Sequence, residues 1–242
     1  MNKWIVVLII MSILGISSIA IFNYINYEPE NIVQNYLISN NKVEVIKEGN
    51  LVIFEPKIKK DIGIIFYPGG LVSPEAYAPL CFNLAEEGYE VFLTKMPLNL
   101  AVLKINAAKK IINEYNFNKW VIMGHSLGGA MAAKFIYDHP NLLFGLVLLA
   151  SYPAESNDLS NYNIKVLSIH GELDGLATKE KIEKYKDLLP NDTKYVMING
   201  GNHSNFGYYG FQKGDNKSTI NRDEQQKIII KEILLFLESI GG

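Results

Sequence analysis

Cysteine is nearly absent from this chain: one residue, Cys81, among 242. A single thiol forms no internal disulfide and supports no cysteine-based zinc cluster. In Tyr77-Ala-Pro-Leu-Cys81-Phe-Asn-Leu84, positions 77, 81 and 84 share one helical face, so Cys81 is expected as a small buried apolar side chain. An excess of either charge is lacking too: 23 basic residues stand against 25 acidic, a net charge of −2, with no long run of one sign. The stretches Lys57–Lys60 and Lys179–Lys186 are interrupted by apolar or acidic residues and read as solvated faces. A broad positive surface is thereby excluded, and no nucleic-acid partner is expected. No phosphate-cradling loop, dinucleotide fingerprint or metal motif is evident, which implies chemistry without cofactor or metal. Internal repeats and low-complexity tracts are also missing. Apolar residues are plentiful at 48%, enough for a sizeable core and too many for a disordered chain.

The longest uncharged run lies at the N-terminus. Residues Trp4 to Phe22 contain no charge and are almost all Ile, Val, Leu, Met, Ala, Ser or Gly. A helix rising about 1.5 Å per residue over that length nearly crosses a hydrocarbon core of roughly 30 Å. Trp4 at one end and Tyr24 and Tyr27 at the other suit the two interfaces. Lys3 precedes the run and Glu28 and Glu30 follow it, which places the N-terminus in the cytoplasm and the rest of the chain outside. The competing reading is a signal peptide cleaved near Ser18-Ile-Ala20, but the run exceeds the usual apolar region of about 7–15 residues. The expected organisation is a membrane segment (residues 1–25), a tether rich in Asn and Tyr (26–42) and one domain (43–242).

Within that domain the pattern alternates. Val43-Glu-Val-Ile-Lys and Leu51-Val-Ile-Phe flank Glu48-Gly-Asn50 as a hairpin. Apolar strands are predicted at 62–67, 89–94, 120–123, 146–149, 165–169 and 194–198. Helices are predicted from Ser73, as N-cap before Pro74, to Gly88, and over about 103–115, 127–138, 178–189 and 223–240. Near-continuous apolar strands between helices indicate an α/β fold, a mostly parallel sheet covered on both faces.

Three loops carry the chemistry. The strand at 120–123 runs into Gly124-His125-Ser126-Leu127-Gly128-Gly129 and then a helix. This is Gly-x-Ser-x-Gly in a strand–turn–helix setting, a nucleophile elbow. Ser126 must stand on a strained turn, and glycines two positions either side remove side chains that would collide there. The Leu127 N–H, at a helix N-terminus, is an oxyanion donor. A serine hydroxyl needs a base, usually a histidine held by a carboxylate, and in a fold with this elbow the expected chain order is Ser, then Asp or Glu, then His. Of four histidines, His125 adjoins the serine, His139 ends a helix and His170 precedes the acid. His203, in Gly200-Gly-Asn-His203, follows in the required order. The acid lies in His170-Gly-Glu172-Leu-Asp174-Gly, with Asp174 preferred over Glu172. A second oxyanion donor is expected in Tyr67-Pro68-Gly69-Gly70-Leu71, from Gly70 or Leu71. Tyr152 and the aromatic group Phe206, Tyr208, Tyr209 and Phe211 are candidate pocket walls.

With these motifs in order, the chain resembles the α/β-hydrolase superfamily over about residues 43–240. More narrowly it resembles small bacterial hydrolases related to dienelactone hydrolase, in phrases such as Lys95-Met-Pro-Leu-Asn-Leu-Ala101 and Asn202-His-Ser-Asn-Phe-Gly-Tyr-Tyr-Gly210. It departs from dienelactone hydrolase at the nucleophile, a cysteine there and Ser126 here. The resemblance implies Ser126, His203 and Asp174 as nucleophile, base and orienting acid. The expectation is a serine hydrolase acting on small carboxylic esters, held at the membrane through residues 4–22. Acyl transfer, peptide cleavage, a non-catalytic binding module and an envelope assembly partner are the alternatives. The short connection from about Ser151 to Ile164 leaves no room for a large cap, so the site is expected to be open.

Overall fold

A computed structural model describes residues 25–241. The expected membrane segment lies outside the described residues. Among the described residues, no helix is long and apolar enough to cross a membrane.

Eight strands form one sheet: β1 (Val43–Glu48), β2 (Leu51–Pro56), β3 (Ile62–Tyr67), β4 (Glu90–Thr94), β5 (Lys119–His125), β6 (Gly145–Leu149), β7 (Lys165–Gly171) and β8 (Lys194–Ile198). Their spatial order is β1-β2-β4-β3-β5-β6-β7-β8. The β1–β2 hairpin is antiparallel, closing at Glu48↔Leu51, and β2 pairs antiparallel with β4. Every other pairing is parallel. Gly49 takes φ +52° in the two-residue hairpin turn, a conformation that glycine adopts without a Cβ penalty.

Among the described residues, five α-helices cover the sheet: α1 (Ala78–Glu86), α2 (Ala107–Glu114), α3 (Leu127–Asp138), α4 (Lys179–Tyr185) and α5 (Arg222–Gly241). The pleat sends alternate residues to opposite faces, and both faces are apolar. Ile64, Phe66, Val121 and Met123 join Cys81, Leu84, Ile229 and Ile233 on the face under α1 and α5. Ile65, Tyr67, Ile122 and Leu148 join Ala108, Ile111, Ala133 and Ile136 on the face under α2 and α3. Tyr77, Cys81 and Leu84 are all fully buried, as their shared helical face predicts. Burial pushes the Cys81 thiol upward, so it stays protonated.

Several elements differ from the sequence-based expectation. Pro74–Tyr77 is a 3₁₀ turn leading into α1, and Ser73 makes no side-chain cap. Its hydroxyl instead donates to Glu28 Oε2 at 3.2 Å. The helix expected at 103–115 divides into a 3₁₀ turn at Ala101–Lys104 and α2. The expected tether is docked rather than free. Asn31–Leu37 is a 3₁₀ helix whose Val33 is fully buried, and Glu30 Oε2 meets Arg222 Nη1 at 2.5 Å. An apolar side chain inside a polar stretch outweighs its surroundings when the core offers it a socket.

Candidate active site

Parallel strands align their C-terminal ends on one edge of the sheet, where side chains from distant parts of the chain converge. Here that edge collects the loops after β3, β5, β7 and β8. The turn after β5 holds Ser126 at φ +51°, ψ −121°, a left-handed region costing a non-glycine residue roughly 1–3 kcal/mol. Surrounding bonds enforce it. The Ser126 N–H donates to Leu149 O at 2.9 Å, and its carbonyl accepts from Ala130 N–H at 3.1 Å and Ser151 Oγ at 2.7 Å.

The glycine spacing has a direct steric cause. A Cβ on Gly124 would stand 2.5 Å from Gly128 C, and one on Gly128 would strike the Tyr67 and Pro68 carbonyl oxygens. Gly129 is equally confined, 2.6 Å from Ser151 Cβ. The elbow thus packs backbone against backbone, with α3 pressed onto the loop after β3.

On β7, Asp174 lies in the following turn and is buried. Its Oδ1 accepts from the Leu176 and Ala177 N–H groups at 2.8 and 2.7 Å, and its Oδ2 faces His203 Nδ1 at 2.8 Å. With Oδ2 as acceptor, Nδ1 carries the proton and Nε2 presents a lone pair. That Nε2 is buried and has no hydrogen-bond partner among the described residues, so the bond expected between His203 and Ser126 Oγ is not made in this structure. Catalytic hydrogen bonds often tighten only when substrate binds. Glu172 is elsewhere: it is exposed, and its carboxylate accepts from Gly200 N–H at 2.7 Å.

The loop after β3 separates the two oxyanion candidates. Leu71 gives its N–H to Asn99 O at 2.8 Å and is thereby removed as a donor, a correction to the expectation. Gly70 makes no hydrogen bond among the described residues and packs directly on Leu127, where a Cβ would come within 3.0 Å of Leu127 Cδ2. Leu127 opens α3, and N–H groups in a first helical turn have no intrahelical acceptor.

His125, beside the serine, is wholly buried. Gly69 N–H donates to Tyr77 Oη at 3.1 Å, and Tyr77 Oη lies 2.8 Å from His125 Nδ1. Burial holds the Tyr77 phenol protonated, so it donates to Nδ1. Burial first, and the nearby His203 second, lower the pKa of His125 well below the ordinary histidine range. Its ring stands 4.5 Å from the His203 ring and stacks on Phe206 at 5.5 Å and 15°.

The aromatic group divides: Phe206 and Tyr209 are core, Tyr208 is half-buried and Phe211 is exposed. Phe206 is fully buried under His125, and Tyr209 packs on Tyr27 and Tyr77. Tyr208 turns its hydroxyl to Asp223 at 3.1 Å, beneath the Arg222 guanidinium. Tyr152 also keeps a half-exposed ring, stacked on Tyr185 at 4.7 Å.

Sequence reasoning missed Asp215. Its Oδ1 accepts from Gly175, His203 and Asn216 N–H groups at 3.0, 3.3 and 2.8 Å. Its Oδ2 accepts from Ser204 N–H at 2.8 Å and Ser204 Oγ at 2.6 Å. One buried carboxylate therefore pins the loops of Asp174 and His203 to each other. Gln225, at the start of α5, adds a reciprocal pair with Asn202, accepting at 3.0 Å and donating at 2.8 Å.

Comparison with known proteins identifies the family and the fold. The sequence model described as "Alpha/beta hydrolase family" matches residues 63–227. No curated protein matches the chain. Solved structures share the fold. MGS-MChE2, an alpha/beta hydrolase enzyme from the metagenome of lagoon sediments at Mar Chica, Morocco, aligns with TM-score 0.62 and 18% identity, covering 81% of this chain and 98% of its own. Carboxylesterase CesB from Bacillus subtilis aligns with TM-score 0.60 and 10% identity over 86% and 95%. A putative dienelactone hydrolase from Klebsiella pneumoniae aligns with TM-score 0.58 and 14% identity over 81% and 98%.

Proposed function

Because the chain belongs to the alpha/beta hydrolase family, we propose that it is a serine hydrolase that cleaves carboxylic esters through an acyl-enzyme on Ser126. The observation that carries this reading is the buried Asp174–His203 pair beside a strained serine elbow. His203 Nε2 takes the Ser126 proton as Oγ attacks the ester carbonyl carbon. Asp174 holds the imidazole by its Nδ1–H and stabilises the imidazolium. The carbonyl oxygen gains charge toward the N–H groups of Leu127 and Gly70. Collapse breaks the bond to the alcohol, which leaves with the proton from His203. Water, deprotonated by His203, then attacks the acyl carbon; the bond to Ser126 Oγ breaks, His203 returns the proton to Oγ, and the acid is released.

The same reading places residues 4–22 in a membrane, with the domain on the outer side. Lys3 before the apolar run and Glu28 and Glu30 after it support that orientation. The relationship of the solved carboxylesterase to this fold supports ester chemistry. The test is hydrolysis of a graded series of p-nitrophenyl esters by the full chain in detergent, beside Ser126→Ala. Turnover should fall at least about 10³-fold in the variant. Equal turnover by both proteins would remove Ser126 as the nucleophile.

A further inference from the structure

We propose that the rim of this site is a membrane-docking surface. Leu98, Val102 and Leu103, together with Ile25, rest on the bilayer that residues 4–22 enter, and the site takes amphiphilic esters whose acyl chains are held in that bilayer. The inference rests on the reading of Ser126 as an ester nucleophile and of residues 4–22 as a membrane segment.

Only Asn23 and Tyr24 separate Phe22 from Ile25. Three residue steps span at most about 11 Å, whereas a globule of this size is roughly 40 Å across. Only the face on which the chain enters the domain can therefore meet the bilayer. That face is the oxyanion loop. Tyr27 N–H donates to Leu71 O at 2.8 Å, Ser73 N–H donates to Tyr27 O at 3.0 Å, and Tyr27 bridges Val72. Asn26 Oδ1 accepts from Asn99 Nδ2 at 3.2 Å, and Asn99 O holds the Leu71 N–H.

Leu98 is 59% exposed, Val102 49%, Leu103 54% and Ile25 41%. Isolated exposed apolar residues are ordinary, but a group beside a site marks an interaction surface. Leu98 and Asn99 both have left-handed backbones, φ +52° and +53°. Chirality disfavours that conformation, so the chain sustains strain to present a leucine to the outside. The turn at Ala101–Lys104 lies against α3, the helix that Ser126 caps. Entry point, apolar rim and elbow are thus one continuous region. A lipid surface is the occupant that the adjoining apolar run itself supplies.

Docking is tested in the full chain, reconstituted in phosphatidylcholine–phosphatidylglycerol vesicles that contain a brominated lipid. Cys81 is fully buried, so a single introduced cysteine can carry an environment-sensitive fluorophore. Probes at Leu98→Cys and Leu103→Cys should be quenched roughly two-fold or more by the brominated lipid, because docked side chains enter the interface. A probe at Ile58→Cys, 86% exposed in the loop between β2 and β3, should not be quenched. Absence of quenching at 98 and 103, or equal quenching at 58, overturns the docking. For the substrate, p-nitrophenyl palmitate in the enzyme's own vesicles should turn over about ten-fold or more faster than in separate vesicles, since tethering raises effective concentration. Equal rates overturn the substrate assignment. Failure of Ser126-dependent turnover on soluble p-nitrophenyl acetate overturns the hydrolase reading separately, and the quenching pattern still decides the docking.

Discussion

At the scale of single residues, environment divides the work between Asp174 and Glu172. Asp174 is enclosed and spends both oxygens on the neighbouring loop and His203, whereas Glu172 is exposed and holds only Gly200. Asp174→Asn should lower kcat for p-nitrophenyl esters by about 10³–10⁴-fold, because the amide no longer holds the productive imidazole tautomer. Glu172→Gln should leave kcat within about two-fold, as expected of an exposed side chain outside the proton path. Comparable losses in the two variants would contradict the assignment. His125 supplies a second test. Its folded pKa lies below the unfolded one, so below about pH 6.5 the unfolded chain binds a proton that the folded chain refuses. Stability is therefore complete above that pH and falls as pH drops, by at most about 1.4 kcal/mol per unit from this residue. His170, lowered chiefly by burial, acts in the same direction. Urea midpoints between about pH 5 and pH 7.5 should show the decline, and His125→Gln should flatten it.

Elements differ in how far the sequence reveals them. The elbow was legible because its constraints are local: Gly124, Ser126 and Gly128 adjoin one another, and the collisions they avoid are within the turn or with the strand beside it. Strands β3 to β8 were legible from apolar runs flanked by helical patterns. Asp215 was not, since it serves Gly175 from 40 residues away and no periodicity marks a loop aspartate. The pocket aromatics misled for a related reason. Phe206 and Tyr209 follow His203 closely in sequence, yet the 3₁₀ turn at Ser204–Phe206 turns them into the core. Leu71 could not be separated from Gly70 without knowing that Asn99 returns to take its N–H. Asp215→Ala should reduce unfolding free energy by at least about 2 kcal/mol, because buried N–H donors lose their acceptor. In Asp215→Asn, one amide position turns donors toward donors, so kcat should fall more than the urea midpoint. Unchanged kcat in a folded Asp215→Asn protein would show that the two loops hold themselves.

At the scale of the whole molecule, residues 26–41 belong to the domain rather than to a spacer. Composition concealed this, because Asn and Tyr dominate the stretch and Val33 is its sole fully buried residue. Val33→Ala should cost roughly 1–3 kcal/mol in urea unfolding of the full chain, and a true spacer would show no change. The docked segment also joins the apolar run at the N-terminus to the loop after β3, so the proposed attachment and the proposed catalysis would share one side of the fold.

The central claim is that Ser126 is the nucleophile and that His203 activates it. The most direct measurement is mass spectrometry of the full chain after reaction with a fluorophosphonate. One adduct per chain is expected, on the peptide containing Ser126, with loss of ester turnover in proportion to labelling. In His203→Ala the adduct should form at least about 10³-fold more slowly. Labelling at another serine, or undiminished turnover by fully labelled protein, would contradict it.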